Sequence, residues 1–265
     1  MSNTSAAERY HPKLAVADPE AYYADAFRNY PLPNAVRAAR VVSRLTSLNA
    51  RFSYHDASNQ DEYFRRMHAA DRPVILSFSH RGLQKAHDPL AGLRAVFSSE
   101  MLLERAPRFR GWVAVTYMTD PQFAPILQSL GSVPVIRSGD YTHPRFDMQK
   151  PDDATRQKVT DAMIHYSLAH LQAPDSVLFN FPGGTKGSEK VQDGVGMVLE
   201  QHDSAVAIPV ALVSDSETKS GLRGNIPQRL RIAFGQPVEA DGITGLDQHV
   251  ADLEASLNAA TASVQ

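Results

Sequence analysis

The segment VILSF, residues 74–78, is a mainly apolar run that leads directly into Ser79 and His80. Such a run, rich in branched side chains, is typical of a strand buried on both faces, as strands of parallel sheets are. Similar runs recur along the chain and alternate with helical patterns, which indicates βαβ units. The predicted strands are Val74–Ser79, Trp112–Met118, Val133–Arg137, Ser176–Phe181, Ala205–Val213 and Leu230–Phe234.

Helices are predicted between and after these strands. The pairs Asp88-Pro89 and Asp120-Pro121 have the form of helix starts, with Asp as the N-cap and Pro at the first helical position. The segment 138–153 contains glycine, proline and charged residues, which predicts an exposed loop. Longer helices are predicted at 154–172, 189–201 and 245–260.

Together these patterns predict an α/β fold with a mostly parallel central sheet flanked by helices and with a helical N-terminal region. We expect residues 1–60 to form a helical N-terminal extension and residues 61–240 to form the α/β domain. Residues 241–265 should supply a C-terminal helix that packs on that domain.

Composition narrows the classes of function. The 265 residues include no cysteine, which excludes disulfides, thiolate metal sites and cysteine nucleophiles. A net charge of −2 and the absence of nucleic-acid-binding motifs argue against a role with DNA or RNA. The N-terminal sequence has no apolar core of a signal peptide, and no apolar run is long enough to span a bilayer. We therefore expect a cytoplasmic protein.

One basic stretch bears on membrane contact. Five arginines and no acidic residue lie between Phe27 and His55, and residues 34–51 have a helical pattern with an apolar side. One interpretation is a peripheral helix that lies on the anionic inner face of a membrane. The other is a helix that packs on the protein and exposes a solvated basic face.

His80 is the first candidate for chemistry, because ligands of open α/β sheets gather at the carboxyl ends of the strands. Asp88 is predicted to cap the next helix, and its carboxylate can orient a histidine at the same time. In one continuous helix the two residues would be roughly 12 Å apart, so residues 81–87 must fold back if they act together. His87 would permit a metal site with His80 and Asp88, but the histidine spacing is not the i, i+4 usual for helical ligands, so no metal is predicted.

Two further segments are candidates for anion binding. FPGGTKGSEK, residues 181–190, follows a predicted strand, and its backbone N–H groups and Lys186 are suited to a phosphate. The alternative is a simple glycine turn between a strand and a helix. Arg137 follows the strand at 133–137, where it is either an anion ligand or a surface charge. The P-loop, GxSxG and GxGxxG motifs are absent.

The order of these segments resembles the lysophospholipid acyltransferase family, also called the 1-acylglycerol-3-phosphate acyltransferase-like family, over roughly residues 70–240. SFSH and DPLAG are similar to the two halves of its first block, LGSVPVIR to its second, FPGGTK to its FPEGTR block and AVAIPVALV to its fourth. RIAFGQPV resembles its closing strand. Seven residues separate His80 from Asp88 where the family has four, and Gly183 replaces the family's glutamate.

The resemblance implies an acyltransferase of lipid metabolism that uses acyl-CoA or acyl-ACP, hence an acyl carrier protein as one partner, and that holds no bound cofactor. His80 would be the general base and Asp88 would orient it. The acceptor or a donor phosphate would be bound by Arg137, Gly183, Gly184, Thr185 and Lys186. The changes at 183 and 186 point away from lysophosphatidic acid and leave open a lipid or small-molecule hydroxyl or amine.

Two other hypotheses stay open from sequence. The stretched first block and Gly183 are also compatible with an acyl-chain or acyl-carrier binding protein that retains the fold without catalysis. An unrelated phosphate-binding α/β enzyme is the third hypothesis. Acyl chain length and oligomeric state have no signal in the sequence.

Overall fold

The computed structural model describes residues 6–28, 50–54, 72–79, 109–121, 123–129, 131–173, 176–181, 191–214 and 228–263. In chain order the helices are α1 Ala6–Arg9, α2 Pro12–Ala17, α3 Pro19–Arg28, α4 Val115–Met118, α5 Ala124–Ser129, α6 Asp153–Leu171, α7 Gly194–Gln201 and α8 Leu246–Ser263. The strands are β1 Ala50–Tyr54, β2 Val74–Phe78, β3 Phe109–Ala114, β4 Ser132–Val135, β5 Val177–Asn180, β6 Val206–Ser214, β7 Gln228–Phe234 and β8 Val238–Glu239.

The described strands form one mixed sheet in the order β1-β7-β6-β2-β5-β3-β4, and β8 also pairs with β6. Strands β6, β2, β5, β3 and β4 run parallel to one another. Strand β7 runs antiparallel to β6, and β1 runs parallel to β7. The predicted α/β class, with a mostly parallel sheet and an N-terminal helical region, is confirmed.

The centre of the sheet is buried on both faces, which explains the mainly apolar runs. On one face Ile75 of β2 and Leu178 of β5 pack in the same core as side chains of α3, α6, α7 and α8. On the other face Leu76, Phe78 and Phe179 are also buried. Burial of both faces fixes the strands that carry the candidate site.

Several predicted elements differ from the structure. The predicted strand 112–118 is wrong beyond Ala114, because Val115–Met118 forms helix α4, whose end is closed by hydrogen bonds from the Thr119 N–H and hydroxyl to the Val115 carbonyl. The helix predicted from residue 189 begins at Gly194. This start is packed closely on Trp112, since a Cβ at 194 would lie 3.0 Å from Trp112 Cζ3.

The predicted helix start at Asp120-Pro121 is also displaced, because α5 begins at Ala124. The Asp120 carbonyl accepts from the N–H groups of Phe123 and Ala124, and its carboxylate accepts from Arg145. The helix start predicted at Asp88-Pro89 lies outside the described residues.

The N-terminal third contributes a strand as well as helices. Strand β1 lies within the predicted extension 1–60, so the sheet begins before residue 61. Ala50 and Arg51, assigned to the basic helix 34–51, are part of this strand, and the rest of that predicted helix lies outside the described residues. The C-terminal helix α8 packs against β6 as expected. No helix in the described ranges is long and apolar enough to cross a membrane.

The segment between β4 and α6 was predicted to be an exposed loop, and this is wrong for two of its aromatic residues. Tyr141 and Phe146 are buried, at 1% and 2% exposure. Burial raises the pKa of Tyr141, an effect that Arg156 opposes and Asp140 reinforces. The segment is therefore held against the body of the protein beside Arg137.

Candidate functional site

The carboxyl ends of four parallel strands, β2, β5, β3 and β4, lie along one side of the sheet, which we call its carboxyl edge. Ser77 of β2 is paired in register with Asn180 of β5, while Gly111 of β3 is paired with both Phe179 of β5 and Ser132 of β4. These registers place the residues that follow β2, β5 and β4 at the same carboxyl edge. The chain therefore leaves this common edge at Ser79 after β2, at Phe181 after β5 and at Ile136 after β4.

Most of the predicted site residues lie outside the described part of the chain. This applies to the proposed base His80, to Asp88 and His87, and to the acceptor-binding residues Gly183, Gly184, Thr185 and Lys186. Their mutual geometry, including the distance from His80 to Asp88, stays a prediction. Arg137 is the predicted site residue that the described ranges contain.

The chain is firmly held immediately before His80 and before the glycine-rich segment. The Ser79 N–H donates to the Val210 carbonyl at 2.8 Å, so the pairing of β2 with β6 continues through Ser79. The rings of Phe78 and Phe181 are stacked, with centroids 5.5 Å apart and planes inclined by 28°. Packed aromatic rings at the two strand ends fix where both segments leave the sheet.

Arg137 is bound within its own turn. Its Nε and Nη2 donate to the two carboxylate oxygens of Asp140, at 3.1 and 2.9 Å, and its backbone N–H donates to the same carboxylate at 2.8 Å. The Asp140 side chain is 4% exposed, whereas that of Arg137 is 33% exposed. A bidentate pair of this kind neutralises the guanidinium charge and fixes its plane. Among the described residues, only Nη1 of this guanidinium lacks a partner.

Two neighbouring arginines are also paired with aspartates, each through a single hydrogen bond. Arg145 donates to the Asp120 carboxylate at 2.9 Å and to the Thr116 carbonyl. Arg156 forms an ion pair with Asp153 and donates to the Ser138 hydroxyl. Beyond the end of β4, the positive charge of these arginines is thus compensated by aspartates.

Arg137 is also displaced sideways from the start of the first block. Strands β5 and β3 lie between β2 and β4, so the ends of β2 and β4 are three strand spacings apart, roughly 14 Å. The end of β5 lies between them. Arg137 therefore lies on the β4 side, away from the end of β2.

Two polar side chains at this edge were not among the predicted site residues. Ser77 is 0% exposed and Asn180 is 3% exposed, and neither side chain has a hydrogen-bond partner among the described residues. The signal was present in the sequence, because each is a polar residue inside a buried apolar run, VILSF and SVLFN.

The described ranges hold no group of three or more His, Asp or Glu side chains able to bind a metal ion. No protein-family model matches the chain, and no curated protein matches it either. The resemblance to lysophospholipid acyltransferases therefore rests on the ordered motifs alone.

Proposed function

We propose that the protein is an acyltransferase that moves an acyl group from a thioester directly to a hydroxyl or amine. The observation that carries this proposal is the ordered set of four family-like blocks between residues 70 and 240. In its support, the described strands from which three of these blocks emerge end at one edge of the sheet. This edge is where open α/β sheets bind their ligands.

In the proposed reaction, His80 accepts the proton of the acceptor O–H or N–H while Asp88 stabilises the resulting imidazolium. The acceptor atom forms a bond to the thioester carbonyl carbon. The C–S bond then breaks, and the leaving thiolate takes the proton from His80. Backbone N–H groups near Gly183 and Gly184 would stabilise the oxyanion, and no acyl-enzyme forms.

The donor in this proposal is acyl-CoA or acyl-ACP, and the acceptor is not the usual lysophosphatidic acid. Gly183 removes a carboxylate from the FPEGTR block, and Lys186 lacks the bidentate fork of arginine. Thr185 and Lys186 would contact an anionic group, with Arg137 limited by its pairing to Asp140. The acceptor is a hydroxyl or amine, and the anionic group lies on the acceptor or is a phosphate of the donor.

A second candidate is an acyl-chain or acyl-carrier binding protein without transfer activity. The bidentate Arg137–Asp140 pair favours it, since that guanidinium is already occupied by a carboxylate. Binding of an acylated carrier without transfer to any acceptor in a panel of lipids and small alcohols would support this candidate over the enzyme.

The decisive experiment measures release of free thiol from acyl-CoA and acyl-ACP in the presence of an acceptor panel. We expect His80→Ala to abolish release, because no other predicted group removes the acceptor proton. The matched control is His87→Ala, which should retain activity since His87 belongs to the inserted linker. Full activity of His80→Ala would refute the mechanism.

We also propose that the protein works in the cytoplasm and meets the inner membrane face through the basic stretch within 34–51. Flotation with anionic vesicles tests this contact, and neutralising Arg37, Arg40 and Arg44 should abolish flotation. Equal flotation with neutral vesicles would contradict the electrostatic contact. The acyl-transfer proposal does not depend on it, because a soluble acceptor needs no membrane.

A further inference from the structure

The carboxyl ends of β2 and β5 hold two buried polar side chains side by side. Ser77 and Asn180 are directly paired in register, so their Cα atoms are neighbours across the two strands. Despite this proximity, the Ser77 hydroxyl and both amide atoms of Asn180 have no hydrogen-bond partner in the described part of the structure. Buried amides are almost always hydrogen-bonded, so this pair requires an explanation.

Both side chains point to the helical side of the sheet. Ser77 lies two residues after Ile75, and Asn180 lies two residues after Leu178, so each shares a face with a residue of the helix-packed core. Trp112 lies on the same face, one position beyond the last pair of β3 with β5. The start of α7 at Gly194 rests on this tryptophan.

The first turn of α7 adds hydrogen-bond donors on the same side. Its N-cap residue, Asp193, makes no side-chain capping bond. The first intrahelical bond runs from the Met197 N–H to the Asp193 carbonyl, which leaves the N–H groups of residues 194–196 without a backbone acceptor among the described residues. The first turn of a helix favours an electron-rich group such as a carbonyl oxygen.

A buried hydroxyl alone would not indicate a ligand. Ser176 and Ser132, at the opposite ends of β5 and β4, are also buried without a partner. Asn180 differs because its amide leaves both a donor and an acceptor unpaired. The matching chemical group is another amide, whose carbonyl accepts from Nδ2. The N–H of a trans secondary amide points away from its carbonyl, so it does not pair with Oδ1 of the same side chain.

We propose that Asn180, with Ser77 beside it, is a subsite for a secondary amide in the pantetheine arm of the thioester donor. This inference rests on the proposed acyl transfer and identifies where the donor arm lies. CoA and acyl carrier protein present their thiol on the same arm, so one subsite serves both donors. Ser77 is three residues before His80, and an extended chain of this length spans at most roughly 11 Å, which is within the length of the arm.

The test measures binding rather than turnover. The probes are the butanoyl thioester of N-acetylcysteamine, which carries one amide, and the butanoyl thioester of pentanethiol, which has the same length and none. Dissociation constants are measured by ligand-observed NMR. We expect the wild type to prefer the amide probe by roughly tenfold and the variants Asn180→Leu and Asn180→Asp to lose that preference.

If Asn180→Leu fails to fold, Asn180→Asp takes its place. It keeps the shape of the side chain and replaces only the N–H donor. The matched control is Ser176→Ala, which removes an equally buried, unpartnered hydroxyl at the far end of β5 and should keep the wild-type preference. The subsite is refuted if the wild type shows no preference, if Asn180→Asp retains it, or if Ser176→Ala loses it too.

These results are independent of the acyltransferase test. Loss of thiol release in His80→Ala together with no probe preference would refute the subsite and leave the proposed reaction intact. A preference that depends on Asn180 in a protein without transfer activity would retain the subsite and favour the non-catalytic carrier-binding protein.

Discussion

Replacing Arg137 with alanine separates a structural role of this side chain from a substrate-binding role. The change removes two hydrogen bonds to Asp140, from Nε at 3.1 Å and from Nη2 at 2.9 Å, and leaves a carboxylate that is 4% exposed. The hydrogen bond from the backbone N–H of residue 137 to the Asp140 carboxylate, at 2.8 Å, remains. The carboxylate thus keeps one donor but loses its counter-charge.

The magnitude follows from these contacts. Hydrogen bonds to a charged group contribute about 1.5–3 kcal/mol each, and loss of one partner of a fully buried pair costs about 3–5 kcal/mol. Since a third of the Arg137 side chain is exposed, water can replace part of the loss. We expect the free energy of unfolding to fall by about 2–3 kcal/mol, which for a chain of this size lowers Tm by about 4–6 °C.

Urea denaturation followed by circular dichroism measures this loss, and donor and acceptor titrations measure KM on the same variant. Arg145→Ala is the matched control, because its ion pair with Asp120 is more exposed and should contribute about 1 kcal/mol or less. A loss below about 0.5 kcal/mol for Arg137→Ala, with KM raised tenfold or more, would refute the structural role and identify a substrate ligand.

Three further predictions concern the framework of the site. Gly111→Ala should lower stability by about 1–3 kcal/mol in urea denaturation, because its Cβ would overlap the Phe179 ring, and Phe179→Leu in the same chain should recover part of the loss. Trp112, the single tryptophan, is 9% exposed, so its fluorescence should be blue-shifted in the folded protein; because it donates to the Ser167 hydroxyl at 3.1 Å, Ser167→Ala should alter that emission. The pKa of Asp241 is lowered to about 2 by hydrogen bonds from the backbone N–H groups of Thr244 and Ile243 and from the Thr244 hydroxyl. The ionised carboxylate should therefore stabilise the turn before α8 fully above about pH 4, and this stabilisation should disappear as the pH falls towards 2. An NMR titration of the Asp241 carboxyl carbon measures this pKa.

The parts of the fold that were predictable are those where burial dominates local preference. Strands β2 and β5 are covered on both faces, so their apolar runs predicted buried strands of a parallel sheet correctly. The run after Ala114 has equally strong strand character, yet it forms helix α4, because tertiary context and the Thr119 closure override local propensity there. Strand β1 was missed because its sequence continues the basic helical pattern that precedes it.

The candidate site was also predictable only in part. The described strands β2, β5 and β4 end at one edge, since chain order and strand alternation largely determine which ends of parallel strands coincide. The partner of Arg137 was harder to predict, although RSGD places Asp140 three residues on in a turn. A lone arginine after a strand suggests an anion ligand, and only the three-dimensional structure shows that the anion is supplied by its own turn.

That pairing has a consequence for the acceptor. Arg137, Arg145 and Arg156 are each bound to an aspartate, so a substrate phosphate on the β4 side would have to displace a carboxylate that is already well placed. Such an exchange replaces one anion by another and gains little Coulomb energy. Attraction for a phosphate would then depend on Lys186 and on backbone N–H groups. The described edge thus offers a substrate phosphate little attraction on the β4 side, and an anionic group would be bound at the FPGGTK block instead.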